Sequence, residues 1–418
     1  MSIVNALQRE IKFISKDRSI WFWMAIVIGL SALSLGFGLA EVNHQQATIE
    51  KLLIVDQEDR NAHLEKQKSW GGAAYYSFHL SYDAPSNFAY AALGLRDVQA
   101  WKHRIRMLAL EGQIYERDVG NPSFALVGRF DFAFLSAFII PLILIILLYD
   151  LRSSERSAGR YNLLEATAAQ ANNLWLLRAS LRGGMLYLCL VTPLVCTAII
   201  AGTSFGTLIF ACLFLLAYIL FWMLLCLVVS AWQKPDAVLL TALLSIWIST
   251  AVIIPAGARL AIDKAVALPA GSDILLLQRE AVNDAWDLPR ETTMQTFYEK
   301  YPEWAEYQAV EQPFEWQWYY AFQQVGDQKA EALSKAYRDG RLKRDKLANW
   351  AALLAPPALL ERALQKLANT DIKASIRYED SVRDYHAELR AFYYPKFFEN
   401  QTFDKALLEG LPEYKAAK

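Results

Sequence analysis

The chain has 418 residues, 42 Lys/Arg against 43 Asp/Glu and a formal net charge of −1, so it lacks the basic excess of a nucleic-acid binder. It is 55% hydrophobic, and its apolar residues gather into uncharged runs at residues 19–40, 132–149, 183–233 and 237–258. A charge at a bilayer centre costs ~2.5–3.5 kcal/mol, so runs this long exclude an ordinary soluble domain and predict membrane spans.

Residues 1–18 carry Arg9, Lys12, Lys16 and Arg18 just before the first run. By the positive-inside rule this end is expected in the cytoplasm. Val4, Leu7, Ile11 and Ile14 recur at helical spacing between the charges, which predicts an amphipathic helix in the membrane interface. Span one is residues 19–40, too long for a signal-peptide core and read as an uncleaved anchor. Its pairs Ala25/Gly29, Ala32/Gly36 and Ser34/Gly38 place small residues four apart, the spacing that permits close helix packing in lipid.

Residues 41–129 hold ten Lys/Arg and eleven Asp/Glu and are expected outside the cytoplasm as a first domain. A helix is predicted over residues 47–67, with breaks at Gly71-Gly72 and Asp83-Ala84-Pro85. Span two is residues 130–150. Residues 151–182 then form a charged cytoplasmic loop in which Arg152, Arg156 and Arg160 recur every four residues. That interval would put three guanidinium groups on one face of a helix.

The run of 51 residues from 183 to 233 would make roughly 77 Å of helix, so it must cross a ~30 Å core twice. It divides at Gly202-Thr203-Ser204-Phe205-Gly206 into span three, 183–202, and span four, 207–230. That pentapeptide matches the G-x-S-x-G pattern of serine hydrolases, but two membrane helices flank it where the chemistry needs a strand and a helix. We read it as a hairpin turn. Span five is residues 237–256. Its Thr241, Ser245 and Ser249 form one polar stripe, a candidate pathway lining or a packing surface. The four cysteines all fall within spans, so no structural disulfide is expected.

Residues 257–418 are expected as a second, solvated, mainly helical domain, with helical patterns at 325–347, 357–367 and 375–392. Leu347–Leu360 is too short and too interrupted by Pro356-Pro357 for a sixth span and fits a helix pair better. The cluster Trp304, Trp316, Trp318, Tyr319, Tyr320 and Phe322 suits the core of such a domain. Arg129 and Arg259 flank spans on the outer side, against the charge rule, which discounts charges on large translocated domains. The histidines show no metal-ligand spacing and no phosphate-binding loop occurs anywhere. No catalytic residue, metal or cofactor is therefore assigned to this chain. The fold class is an all-α polytopic membrane protein with five transmembrane helices and two mainly helical extracytoplasmic domains.

The segment SSERSAGRYNLLEATAAQANNLWLLRASLRGG resembles the loop after the second span in ABC-2-type transporter permeases, where it docks on an ATP-binding subunit as a coupling helix. Glu155, Gly159, Leu163 and Leu164 match that pattern, and Arg152, Arg156 and Arg160 accompany them. The family's usual Gly-Thr-Leu reads Gly159-Arg160-Tyr161 here. LQREIKFISKDRSIWFW is similar to the family's amphipathic elbow helix. The large outer insertions, with WYYAFQQVGDQ, LERALQKLANTD and YHAELRAFYYPKFF, resemble a subfamily known as a domain of unknown function. The resemblance implies a permease subunit in the bacterial inner membrane with a periplasmic mass. It further implies a second permease, alike or paralogous, and ATPase subunits that bind ATP and Mg and perform the hydrolysis. Export of an unknown substrate is the expected activity, and a sixth span beyond residue 418 would complete the family pattern. The alternative is a mechanotransmitter acting on an envelope partner without transport.

Overall fold

The computed structural model describes residues 3–116, 130–167, 171–306 and 314–416; Arg129 lies outside them. Five helices are long and apolar enough to cross a membrane: Arg18–Leu64, Phe132–Ser157, Asn173–Ile200, Phe205–Ser230 and Asp236–Ala265. The protein is thus a polytopic, largely helical membrane protein. The loop between the second and third spans lies at one end of the bundle, and a large helical head lies at the other.

Helix α1 (Ile3–Lys16) ends at Asp17, whose backbone is extended and whose carboxylate accepts the Ser19 N–H at 3.0 Å. That cap starts α2, Arg18–Leu64. At 1.5 Å per residue α2 is roughly 70 Å long, more than twice the ~30 Å hydrocarbon core. The helix expected at 47–67 is therefore the continuation of the first span, for neither glycine nor proline occurs between Glu41 and Leu64 to end it. Ser34 is fully buried, and a Cβ on Gly38 would stand 1.9 Å from the Tyr90 carbonyl oxygen. Gly29 and Gly36 have open space around them, so Ser34/Gly38 is the small pair that makes a contact within this chain.

Beyond α2 the break falls at residues 65–69. Ser69 then caps α3 (Trp70–Tyr76) by accepting the Gly72 N–H at 3.1 Å. Gly71-Gly72 thus lies inside a short helix, contrary to the sequence expectation, because the serine cap sits ahead of it. Strands β1 (His79–Tyr82) and β2 (Lys102–Ile105) pair antiparallel, with His79 opposite Ile105. Asp56 of α2 accepts from the Leu80 N–H at 3.3 Å and from Arg104 at 3.2 Å, which ties this hairpin to the rod. α4 (Leu110–Tyr115) follows.

The second span begins with one α turn, Phe132–Phe134, then a π turn, Leu135–Ile139, then α5, Ile140–Leu148. Pro141 has no N–H, so the Ala137 carbonyl four residues back loses its helical donor. The Tyr218 hydroxyl of the fourth span donates to that oxygen. In hydrocarbon, where no water substitutes, this is how a proline kink is tolerated. The fifth span repeats the pattern, with α10 (Asp236–Ile248), a π turn at Ser249–Ile253, and α11 (Ile254–Ala265) carrying Pro255. It extends nine residues past the expected end at 256.

Spans three and four are α8 (Ala171–Ile200) and α9 (Phe205–Ser230). Ser204 caps α9 by accepting from the Thr207 N–H at 3.3 Å. Its neighbours Gly202 and Thr203 are held by Asn87 and Tyr90 at 3.2 Å each. The G-x-S-x-G stretch is thus the hairpin turn expected, with its serine engaged as a helix cap.

The head adds α12 (Gly271–Asp284), α13 (Arg290–Lys300), α14 (Trp316–Ala352), α15 (Pro356–Leu367) and α16 (Ile372–Phe398). The helical regions before and after the span bundle share one core, in which Trp70, Ile105 and Leu110 pack with Phe297, Tyr320 and Leu389. Two partly buried ion pairs border it. Asp327 accepts the Leu110 and Glu111 N–H groups at 2.8 and 3.1 Å and pairs with Arg390. Glu111 pairs with Arg383 at 2.8 Å. Trp318, Tyr320 and Phe322 are buried, and Trp304, Trp316 and Tyr319 pack against the same core. Residues 347–360 make the end of α14, a turn and the start of α15, the helix pair expected in place of a sixth span. Leu360 and Leu364 of α15 pack into the core of the span bundle itself.

Two outcomes follow from these contacts. Tyr218→Phe leaves the Ala137 carbonyl without a donor and should cost about 1–3 kcal/mol, read as a lowered Tm of the detergent-solubilised protein. Burial holds His79 down to about 3 and His103 down to about 4, while the unfolded imidazole titrates near 6.5. The unfolded state therefore takes up protons first, and stability falls as pH drops from 6.5 toward 3. His79→Gln should lose less Tm between pH 6.5 and 4 than the unaltered protein; an equal loss would remove His79 from the acid response.

Candidate functional site

The loop after the second span begins with α6, a single turn of helix at Ser153–Ser157, and continues in α7, Tyr161–Thr167. The break between them is Gly159, at φ +67°. Its N–H donates to the Arg156 carbonyl at 2.9 Å, and the Arg160 N–H reaches back to the Glu155 carbonyl at 2.9 Å. This is a Schellman closure, which needs a left-handed residue at that position, and glycine adopts it without strain. The same closure corrects the sequence expectation for the arginines. Arg152, Arg156 and Arg160 do not share a helix face, because the helix between them stops after one turn.

Each arginine has its own target. Arg152 lies over the Trp175 ring at 5.7 Å. Arg156 donates to the Trp232 and Ala231 carbonyls at 2.9 and 3.4 Å, so it caps the C-terminal end of the fourth span, where the helix dipole favours a cation. It also lies over Tyr161 at 4.7 Å. Arg160 pairs with Glu155 at 2.9 Å.

Glu155 holds the site together. Its second oxygen accepts from Arg178 of α8 at 2.9 Å, and Arg178 also donates to Glu10 of α1 at 2.9 Å. Arg178, Glu10 and Glu155 are 12%, 4% and 14% exposed at the side chain, so the network is shielded from solvent competition. One guanidinium therefore joins the amphipathic helix, the loop and the third span. Trp175, fully buried, supports it from beneath at 5.3 Å and stacks on Tyr161. α8 begins at Ala171, twelve residues before the expected span, and so carries Trp175 and Arg178 as helix rather than loop.

No local pattern in the sequence singles out Arg178, Trp175 or Tyr161 as partners of Glu155. Glu10 did leave a signal: it sits three residues after Leu7 and four before Ile14, so a carboxylate interrupts the apolar face. Leu163 is 65% exposed and Leu164 is half-buried. Side by side at the start of α7, they present an apolar edge on the loop surface.

The stripe on the fifth span does not join this cluster. Thr241 and Ser245 are exposed, and each hydroxyl donates to the carbonyl four residues earlier in its own helix, at 2.7 and 2.8 Å. Such back-bonding satisfies a hydroxyl without a partner helix. Ser249 opens the π turn. Among the described residues no group of three or more His, Cys, Asp or Glu side chains is placed to hold a metal ion.

A family model described as "Domain of unknown function (DUF3526)" matches residues 274–417, which is most of the head from α12 onward. No curated protein and no solved structure matches the chain.

Replacing Arg178 with Met removes the shared cation and leaves two carboxylates without it. Breaking a buried pair of this kind costs ~3–5 kcal/mol. The expected result is loss of amide-exchange protection across α1 and the loop, with the head unaffected; unchanged protection of α1 would show that the bridge does not hold it.

Proposed function

We propose that this chain is the membrane permease subunit of an ABC-2-type ATP-driven transporter, set in a bacterial inner membrane with its N-terminus cytoplasmic and its head periplasmic. A separate ATP-binding cassette subunit binds and hydrolyses ATP with Mg. A second permease, alike or paralogous, completes the membrane part, and the chain itself is not an enzyme. The observation that carries this reading is the Glu155–Arg178–Glu10 bridge. A docking surface transmits force only if it is rigidly joined to what must move. Here the segment that resembles a coupling helix is joined through one guanidinium to the third span and to the amphipathic helix.

Arg156 adds a link to the fourth span. Motion imposed at Leu163 and Leu164 therefore has a direct route to the third and fourth spans and to α1. The fifth span has only 17% of its apolar window buried within the chain, which leaves a long face for lipid or for the second permease. The transported substrate, moved outward in this reading, is not specified by any group in the loop.

A second reading, force transmission to an envelope partner without transport, is favoured by α2. A single helix runs from Arg18 to Leu64, and Asp56 near its far end is bonded into the head. Rotation of that rod would move the head as a body. Substrate flux in proteoliposomes separates the two readings, since only transport predicts it.

Glu155→Gln keeps the side-chain shape and removes the charge. Co-expressed with its ATPase, this variant should lower the stimulation of ATP hydrolysis by the permease roughly 5- to 150-fold, the span of a typical coupling energy. Full stimulation with normal association would remove the loop from the coupling role. Purification that never yields an ATPase partner would refute the class.

A further inference from the structure

A groove of about 420 Å³ lies between α11, α14 and α15, within the size range of small-molecule sites. Its lining is of two chemical kinds. An apolar floor is made of small residues, among them Ala258, Ala348, Ala351, Ala355 and Ala358. Alanine on three facing elements is what leaves the volume open. The lining also carries five cations, Arg259, Arg341, Arg344, Arg362 and Lys366, against the three carboxylates Asp263, Asp345 and Asp371.

Three of those cations have carboxylate partners. Arg341 pairs with Glu379 at 2.6 Å, Arg344 with Asp263 at 2.7 Å, and Arg362 with Asp345. Asp371 caps its own helix by accepting the Ala374 N–H at 3.1 Å. With Glu379 counted, five cations meet four carboxylates, and the two held least closely by a carboxylate are Arg259 and Lys366. Arg259 is 85% exposed and stands 3.8 Å from an Asp263 already engaged. Lys366 bonds a neutral amide, the Asn349 Oδ1, at 2.9 Å.

The level of the groove follows from its walls. α11 is the end of the fifth span, and the opposite face of α15 packs into the span core through Leu360 and Leu364. Leu260 of α11 is 73% exposed, and Trp350, Leu353 and Leu354 around the α14–α15 turn are 66%, 57% and 70% exposed. Large apolar side chains so exposed beside a span belong in the interfacial layer of a bilayer, where Trp in particular settles. The alanine floor and the cations thus stand where acyl chains meet headgroups.

We infer that this groove is a binding site for a membrane lipid with an anionic phosphate headgroup, its acyl chain along the alanine floor and its phosphate at Arg259 and Lys366. The assignment rests on the chain spanning a membrane and is independent of any ATPase. It also gives Arg259 a reason to sit beside a span on the side where the charge rule disfavours it.

The test is lipid retention by the purified full chain, followed by native mass spectrometry after equilibration with equal amounts of phosphatidylglycerol and phosphatidylcholine. The unaltered protein should retain phosphatidylglycerol selectively. A surface cation contributes roughly fivefold to anionic-lipid preference, so Arg259→Gln with Lys366→Gln should reduce the selectivity roughly 25-fold. Both positions are exposed, and an unchanged Tm confirms the fold. Ala351→Leu, which fills the floor, should lower retention of both lipids. No selectivity, or selectivity unchanged in the charge variant, overturns the site. Displacement of the lipid by millimolar inorganic phosphate alone would show a simple anion site and overturn the lipid assignment.

Discussion

A backbone carbonyl in hydrocarbon has no water to fall back on, and the architecture follows from that constraint. The spans meet it with internal helical bonding over most of their length, interrupted at Pro141, Pro193 and Pro255. The second shows what an exception needs. Pro141 withdraws a donor, a π turn absorbs the change in register, and Tyr218 from the fourth span supplies the missing hydrogen bond. One proline thereby fixes the approach of two spans. The first span obeys the same rule so completely that it continues as helix long after lipid has ended, and the head is assembled on its far portion through Asp56.

The two ends of the bundle are built differently because their surroundings differ. The head buries many aromatic rings around Phe297, Tyr320 and Phe397, with the ion pair Asp327–Arg390 largely buried beside them. It has a conventional hydrophobic core of its own. The loop end, among the described residues, buries little beyond Leu151, Leu174 and Trp175. It is held by cations on rings and carbonyls and by the Glu155–Arg178–Glu10 bridge. Polar contacts of this kind are directional and few, so a load placed on the loop is carried by named groups. The lipid groove lies at neither end but at the seam, where α15 turns one face to the spans and another to α14.

The five spans, the hairpin turn at Gly202 and the helix pair around residues 347–360 are legible in the sequence, whereas Glu155 and Gly159 stand out there only through the loop's resemblance to ABC-2 permeases. Each of the first three rests on a local signal: an uncharged run, a glycine at a turn, a proline pair. What failed was extrapolation of a local period across a break. Arg152, Arg156 and Arg160 keep a four-residue interval, but Gly159 ends the helix that would have aligned them. Gly71-Gly72 looked like a break and is helical because Ser69 caps ahead of it.

The sequence by itself determined that this is a membrane protein, how many times it crosses, and that its soluble mass is helical, because burial of apolar runs and helical periodicity are properties of neighbours along the chain. Only the tertiary structure decided that segments on either side of the span bundle form one head, that Arg178 answers both Glu10 and Glu155, and that alanines from three elements enclose a groove. Those are pairings between residues up to hundreds of positions apart. No periodicity records them, since the same charges and small side chains would satisfy the local pattern with other partners.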